Sequence, residues 1–284
     1  MLLKQYKIHF FDALKNIQDE QEIESFFFIL TEYLHNLKRV DVALNPNFEL
    51  SEDGVKKWNA ILLDLQQEKP IQYITGEAWF YGLRFEVNEN TLIPRPETEE
   101  LVEWIIESQK SKVQSQKFDI LDIGTGSGCI PIALKANLPQ ANVSAIDVSE
   151  EALEVAKRNA AINKVDINFI QANILEVEDL NCHFDIIVSN PPYVRVLEKQ
   201  EIKKNVLDYE PHLALFVDDN DALLFYRKIT QLALKNLAPN GLLFFEINQY
   251  LGKETVILLE NLGFKNIELR KDIYGNDRMI KCEK

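Results

Sequence analysis

The apolar run Phe184 to Ser189 is followed at once by Asn190-Pro191-Pro192-Tyr193. Two consecutive prolines remove backbone donors and restrict the residue before each of them, so the Asn190 side chain and the Pro191 carbonyl are presented as fixed acceptors. Two acceptors at that spacing can take both hydrogens of an –NH₂ group. They would hold a planar amide or amine nitrogen and oppose delocalisation of its lone pair. Tyr193 can stack on a flat acceptor group. Asn190, Pro191 and Tyr193 are therefore candidate catalytic residues, and Asn190 to Tyr193 together form the candidate acceptor site. The chemistry is in-line displacement at a nitrogen, with the gain coming mostly from orientation and placed dipoles. The bland alternative is a proline-stopped strand with a packing tyrosine.

A second group lies upstream. Ile120 to Ile123 runs into Gly124-Thr125-Gly126-Ser127-Gly128, a G-x-G-x-G spacing; the third glycine of a dinucleotide fingerprint would fall at Cys129 instead. Glycines here permit a tight turn and close backbone approach to a ligand. With no pyrophosphate to bind, the loop suits the methionine part and ribose of S-adenosyl-L-methionine. Asp147 follows about twenty residues later at the end of the next apolar run, where a carboxylate can accept from both ribose hydroxyls. Asn173 is placed to meet an adenine amino group and Ile174 to pack on the ring. The expected cofactor residues are thus Gly124, Thr125, Gly126, Ser127, Gly128, Asp147, Asn173, Ile174 and Asn190, the last shared by both sites.

Elements must position these residues. From residue ~117 onward, short apolar runs alternate with helical segments, which implies a mostly parallel sheet covered on both faces. Strands are expected at Phe118 to Ile123, Val143 to Ile146, Ile167 to Ile170, Phe184 to Val188 and Leu242 to Ile247. Helices are expected near Ile130 to Ala136, Glu150 to Asn163 and Ala222 to Leu237. Two final strands, near Lys265 to Arg270 and Arg278 to Cys282, leave little room for a helix and predict an antiparallel hairpin. The first ~70 residues read as helices, with one apolar face over Glu22 to Leu37 and another helix capped by Ser51. Leu83 to Val87 alternates and is followed by Asn88-Glu89-Asn90, which predicts a short hairpin. Pro94 to Thr98 then leads into a helix through Leu101, Val102, Trp104 and Ile105. This segment either closes the methionine end of the cofactor site or has an interdomain structural role. The predicted organisation is a helical partner-binding domain over 1–72, a linker hairpin over 73–95 and a catalytic domain over 96–284.

Composition narrows the classes. Hydrophobic residues make up 46% and charged residues 27% of the 284, as in an ordinary soluble globular protein. The longest compact apolar block, Phe26 to Leu30, is far too short to span a bilayer, and a cytoplasmic protein is expected. Cys129, Cys182 and Cys282 are dispersed, with no C-x-x-C, and His9, His35, His183 and His212 lack ligand spacing, so no metal is expected. A net charge of −14 disfavours nucleic acid as a direct partner, although Lys199, Lys203 and Lys204 cluster. A monomer is expected.

Taken together, the sequence resembles the peptide chain release factor N5-glutamine methyltransferases, the PrmC or HemK family. The resemblance covers nearly the whole chain. It rests on Pro70 to Gly76, Leu92 to Glu99, the Gly124 to Gly128 loop and Asn190 to Tyr193. It implies a Rossmann-like seven-stranded methyltransferase domain, a small N-terminal helical bundle and a linking β-hairpin. It also implies S-adenosylmethionine as methyl donor and, as partners, class I release factors methylated on the glutamine of their Gly-Gly-Gln motif. Asn173-Ile174 departs from the acidic and aromatic pair of many relatives. The rival readings are a ribosomal-protein glutamine, an exocyclic amino group of a nucleic-acid base, and a non-catalytic module that keeps the cofactor fold.

Overall fold

The computed structural model describes residues 1–109 and 117–284, which divide into two compact units. The first comprises residues 1–76 with 203–209. It contains α1 (Leu3–Leu14), α2 (Glu20–His35), α3 (Arg39–Leu44), α4 (Glu52–Gln66) and α5 (Ile71–Thr75). Asp19 caps α2 by accepting from the Glu22 amide at 2.9 Å, and Asn36, in the left-handed region, ends it. Ser51 caps α4 through the Gly54 amide at 3.0 Å, as its position before the apolar spacing predicts. The faces these helices bury converge on Trp58, whose ring meets those of Tyr6, Phe10 and Phe27. Its indole N–H donates to His35 Nε2 at 2.9 Å. An acceptor nitrogen requires neutral imidazole, and burial shifts His35 in that direction, below its ordinary pKa. His35 is thus a half-buried structural residue of this unit.

The second unit comprises residues 77–202 and 210–284. It opens with a hairpin of β1 (Glu77–Phe80) and β2 (Leu83–Glu86), followed by α6 (Pro96–Gln109). The turn falls at Tyr81-Gly82, both at positive φ, rather than at Asn88 to Asn90. Then come β3 (Phe118–Ile123), α7 (Cys129–Asn137), β4 (Ala141–Asp147), α8 (Glu150–Ile162), β5 (Asn168–Gln171), β6 (Phe184–Ser189) and β7 (Val194–Arg195). Short helices α9 (Lys204–Tyr209, in the first unit) and α10 (His212–Leu215) and strand β8 (Phe216–Val217) follow. The chain ends with α11 (Leu224–Asn236), β9 (Leu237–Glu246), α12 (Gly252–Asn261), β10 (Lys265–Lys271) and β11 (Asp277–Glu283). Helix α12 has no counterpart among the sequence-based expectations.

Seven strands form one sheet in the order β10-β11-β9-β6-β3-β4-β5. All neighbours from β9 to β5 run parallel, and β11 pairs antiparallel with both β9 and β10, as the short final connection predicted. Two apolar clusters cover its faces. One centres on Trp104, Ile120, Ile132, Val188 and Phe244, the other on Leu121, Ile187, Tyr226, Ile229 and Phe245. Alternate residues of each strand supply opposite clusters, the period-2 pattern of a sheet buried on both sides. From β3 the chain steps outward to β4 and β5, then returns to place β6 on the other side of β3. That reversal leaves a crevice beyond the carboxyl ends of β3, β4 and β6, where ligands of such sheets bind. Among the described residues, no helix is long and apolar enough to cross a membrane.

Candidate active site

A cleft of about 360 Å³ occupies this crevice. Its floor is the glycine loop. The amides of Gly124 and Thr125 donate to the Ile146 carbonyl at 2.8 and 3.1 Å, which folds the loop back over the end of β4. Gly124, Gly126 and Gly128 all have positive φ, the region only glycine enters without cost. They serve different ends. None of the described residues stands within 4 Å of where a Gly126 Cβ would be, whereas a Cβ on Gly128 would come within 3.0 Å of Ile132 and 3.1 Å of Ala156. Residues Gly124 to Ser127 line the cleft; Gly128 instead lets α7 close on α8.

Asp147 ends β4 with its two oxygens tied by backbone donors, Gly126 N–H at 2.7 Å and Ser149 N–H at 3.0 Å. A carboxylate offers about four acceptor positions, so capacity remains for two hydroxyls. Asn173 and Ile174 also line the cleft. Asn173 is engaged locally, accepting from the Leu175 amide at 3.1 Å and donating to Glu176 at 2.8 Å. Ile174 presents its apolar surface between the cleft and the second cluster.

Asn190, Pro191 and Pro192 form the wall where β6 ends. The Ser189 hydroxyl donates to the Ile123 carbonyl at 2.6 Å, locking the start of this motif to β3. The main-chain oxygen of Asn190 lies 3.9 Å from the position a Gly124 Cβ would take, so glycine loop and motif nearly touch. Tyr193, expected to stack on the acceptor, is not among the residues lining the cleft. Its ring packs on the second apolar cluster, and its hydroxyl donates to Glu246 at 3.1 Å. Burial, reinforced by the Glu246 charge, pushes the Tyr193 phenol far up, so it stays protonated. Its carbonyl accepts from Asn248 at 2.9 Å.

Residues that stood out less in the sequence complete the walls. Arg95 donates to the buried Glu210 at 2.5 Å, and the other Glu210 oxygen takes the Ile93 amide at 3.1 Å. This couples 93–95 to the segment Pro211, Leu213 and Ala214 across the cleft. Pro94, Arg95 and Thr98 line the cleft. Asn159, fully buried in α8, donates to the carbonyls of Ser127 and Glu86 and accepts from the Glu86 amide. The glycine loop is thereby pinned to β2.

Among the described residues, both Asp122 oxygens, Thr125 Oγ1 and Ser127 Oγ are buried near the loop without a well-formed hydrogen bond, the Thr125 hydroxyl lying beside Asp122. Burial pushes the Asp122 carboxyl up to about 7, with the Thr125 hydroxyl beside it opposing the shift and Asp147 adding to it. Buried polar groups are almost always satisfied by protein, water or ligand. In the cleft itself, otherwise lined by Ile123, Ile130, Ile146, Phe225 and Ile229, Asp147 keeps acceptor capacity for a diol and the glycine loop leaves room for a close-lying ligand chain. The residues present fit S-adenosylmethionine. No group of three or more His, Cys, Asp or Glu that could hold a metal occurs among the described residues.

The comparisons agree with this geometry. Residues 104–210 match the methyltransferase small domain family, and residues 8–76 match the PrmC N-terminal domain. A release factor glutamine methyltransferase of Flavobacterium psychrophilum is 65% identical over 281 residues, spanning 99% of each chain. The chain belongs to this family. A second member, from Bacteroides thetaiotaomicron, is 40% identical over 96% of both chains. A methyltransferase structure from Pyrococcus furiosus is 21% identical and superposes with a TM-score of 0.51, covering 80% of this chain and 98% of its own, which shows a shared fold. As in other members, S-adenosylmethionine is the methyl donor.

Sequence reasoning passed over Glu246 and Asn159. Glu246 did carry a signal: a lone acidic residue closing the apolar run Leu242 to Phe245 at the carboxyl end of a strand. Asn159 carried none, being one more polar residue in an amphipathic helix.

Proposed function

We propose that the chain methylates the side-chain amide nitrogen of the glutamine in the Gly-Gly-Gln motif of class I peptide chain release factors. One observation carries the acceptor chemistry: Asn190, at the end of β6 and against the glycine loop, lines the cleft with its amide nitrogen turned to Thr98 at 3.4 Å. That leaves its Oδ1, with the Pro191 carbonyl, to accept the two N–H groups of a carboxamide. The full-length similarity to release factor glutamine methyltransferases supports glutamine as the source of that carboxamide.

The bound cofactor supplies an electrophilic methyl group on sulfur. Asp147 holds the ribose diol, and Gly124 to Ser127 let the chain lie close against the methionine part. Asn190 and Pro191 hold the acceptor nitrogen with its lone pair directed at the methyl group. As that nitrogen gains positive charge its N–H groups become stronger donors, so both acceptors bind the transition state more tightly than the ground state. The proton becomes acidic only then, and no strong base is required. Tyr193 supports the wall from behind. In this reading residues 1–72 bind the protein partner, 73–95 link, and 96–284 carry the chemistry, in a monomer acting in the cytoplasm. The net charge of −14 supports a protein acceptor over a nucleic acid.

The test is a methyl-transfer assay with labelled S-adenosylmethionine, offering release factor, ribosomal protein and total RNA in parallel. Label is expected on the release-factor glutamine. Label on RNA alone, or on ribosomal protein alone, overturns the assignment.

A further inference from the structure

Glu246 is 1% exposed and closes β9, the strand beside β6. Its Oε2 accepts from the Thr98 hydroxyl at 2.6 Å and its Oε1 from the Tyr193 hydroxyl at 3.1 Å. Thr98 Oγ1 in turn faces Asn190 Nδ2 at 3.4 Å. Three chain segments, the first turn of α6, the end of β6 and the end of β9, thus meet in one relay.

Proton bookkeeping gives this relay a direction. A carboxylate only accepts, and a threonine hydroxyl has a single proton. Once Thr98 donates that proton to Glu246, it can offer Asn190 nothing but lone pairs. Asn190 must then turn its –NH₂ towards Thr98 and its Oδ1 the other way. The two ends of a carboxamide are almost the same shape, so packing alone would not choose between them. With the opposite orientation, the –NH₂ of Asn190 would confront the –NH₂ of an acceptor, donor against donor. The 2.6 Å contact has the length of a hydroxyl bound to an ionised carboxylate. Burial pushes Glu246 up from its ordinary range, with Glu97 adding to the shift. Thr98, Arg278 on β11 and Tyr193 pull the other way. Tyr226, whose hydroxyl bonds the Glu246 carbonyl at 3.2 Å, is neutral.

We propose that Glu246, acting through Thr98, is a positioning residue that fixes the direction of the Asn190 carboxamide and so selects an acceptor that presents –NH₂. This rests on the reading of Asn190 as the acceptor-binding residue. The same carboxylate holds the Tyr193 hydroxyl, so one buried charge sets both ends of the motif.

The experiment compares the full-length wild type with Thr98→Val, Thr98→Ser, Glu246→Gln and the Thr98→Val/Glu246→Gln double variant. Each is assayed for kcat on its acceptor and for S-adenosylmethionine affinity by calorimetry. Thr98→Val keeps the shape of the side chain and removes the relay proton. It is expected to lower kcat about 10- to 100-fold while cofactor Kd stays within about 2-fold, as for loss of a transition-state interaction. Thr98→Ser restores the rate that Thr98→Val loses. The double variant loses little more than the worse single one, as for members of one network. Unchanged kcat in Thr98→Val, or multiplicative losses in the double variant, overturns the proposal. Should Glu246→Gln lose cofactor binding through misfolding, the Thr98 pair still decides. If the wild type labels an acceptor other than glutamine, the proposed function fails separately, and the Thr98→Val to wild-type ratio on that acceptor still tests the relay.

Discussion

The main-chain N–H of Gly126 donates to a carboxylate oxygen of Asp147 at 2.7 Å, so the loop after β3 and the last residue of β4 hold one another. The Ser149 amide fixes the second oxygen at 3.0 Å. Two ties set the carboxylate plane before any ligand arrives. Asp147→Ala removes a charged acceptor for the ribose diol and frees the loop amide. Hydrogen bonds to charged groups are worth about 1.5–3 kcal/mol, so S-adenosylmethionine affinity is expected to fall about 10- to 100-fold. At saturating cofactor, kcat should change much less. Isothermal titration gives the first quantity and initial rates the second. An unaltered Kd would remove Asp147 from the cofactor site.

Two glycines of that loop, Gly126 and Gly128, should separate on mutation. Gly128→Ala puts a methyl group at 3.0 Å from Ile132 Cδ1 and 3.1 Å from Ala156 Cβ, at φ +80°. Left-handed strain costs about 1–2 kcal/mol and overpacking adds about 1–3. A loss of roughly 2–5 kcal/mol in denaturant-measured stability is expected. Gly126→Ala bears only the strain, because none of the described residues stands within 4 Å of the new methyl. Its larger effect should be on cofactor affinity. Equal stability losses in the two variants would contradict the division of labour.

Legibility in the sequence followed contiguity. Gly124 to Gly128, Asp147 and Asn190 to Tyr193 each sit at the end of an apolar run, so strand and loop could be read together. The order of runs and helices was enough to predict a parallel sheet with an antiparallel edge. The Thr98–Glu246 contact joins residues 148 apart, and although each sits in a recognisable segment, nothing local shows that the two meet. Asn159 meets Glu86 across 73 residues for the same reason. The hairpin falls inside the expected 73–95 linker, but its turn was not legible, because it uses Tyr81 at φ 51°, a residue type that seldom enters that region, while Asn88 to Asn90 carries the stronger turn composition. Asn173 lines the cleft as expected, but its local engagement was not legible. Its side chain bonds the amide two residues on, the habit that makes asparagine a turn residue wherever it occurs.

Asn190→Ala should affect rate more than binding. Its Oδ1 is one of two acceptors proposed for the reacting nitrogen, while its main-chain oxygen, beside Gly124, is kept by the substitution. Removing one placed dipole at a developing charge costs about 10²–10³ in kcat. S-adenosylmethionine Kd is expected to stay within about 3-fold. A matching loss in Kd would mean that the side chain serves the cofactor instead of the acceptor.

Asp122 makes stability depend on pH in an unusual direction. Burial pushes its carboxyl up to about 7 in the folded chain, against about 3.9 for an unfolded aspartate. The fold therefore binds this proton more tightly than the unfolded chain does. The contribution is fully present below pH ~4, declines as pH rises and is gone once pH passes through about 7. Within that window each pH unit removes at most about 1.4 kcal/mol. Asp122→Asn keeps the shape and abolishes the titration. Urea unfolding of cofactor-free wild type and variant at pH 5, 6, 7 and 8 isolates the effect, since groups common to both proteins cancel. The stability of wild type relative to variant should fall from pH 5 to 7 and level off by pH 8. Parallel curves across the whole range would mean that Asp122 finds in solution a partner, such as a bound water, strong enough to keep its carboxylate ionised.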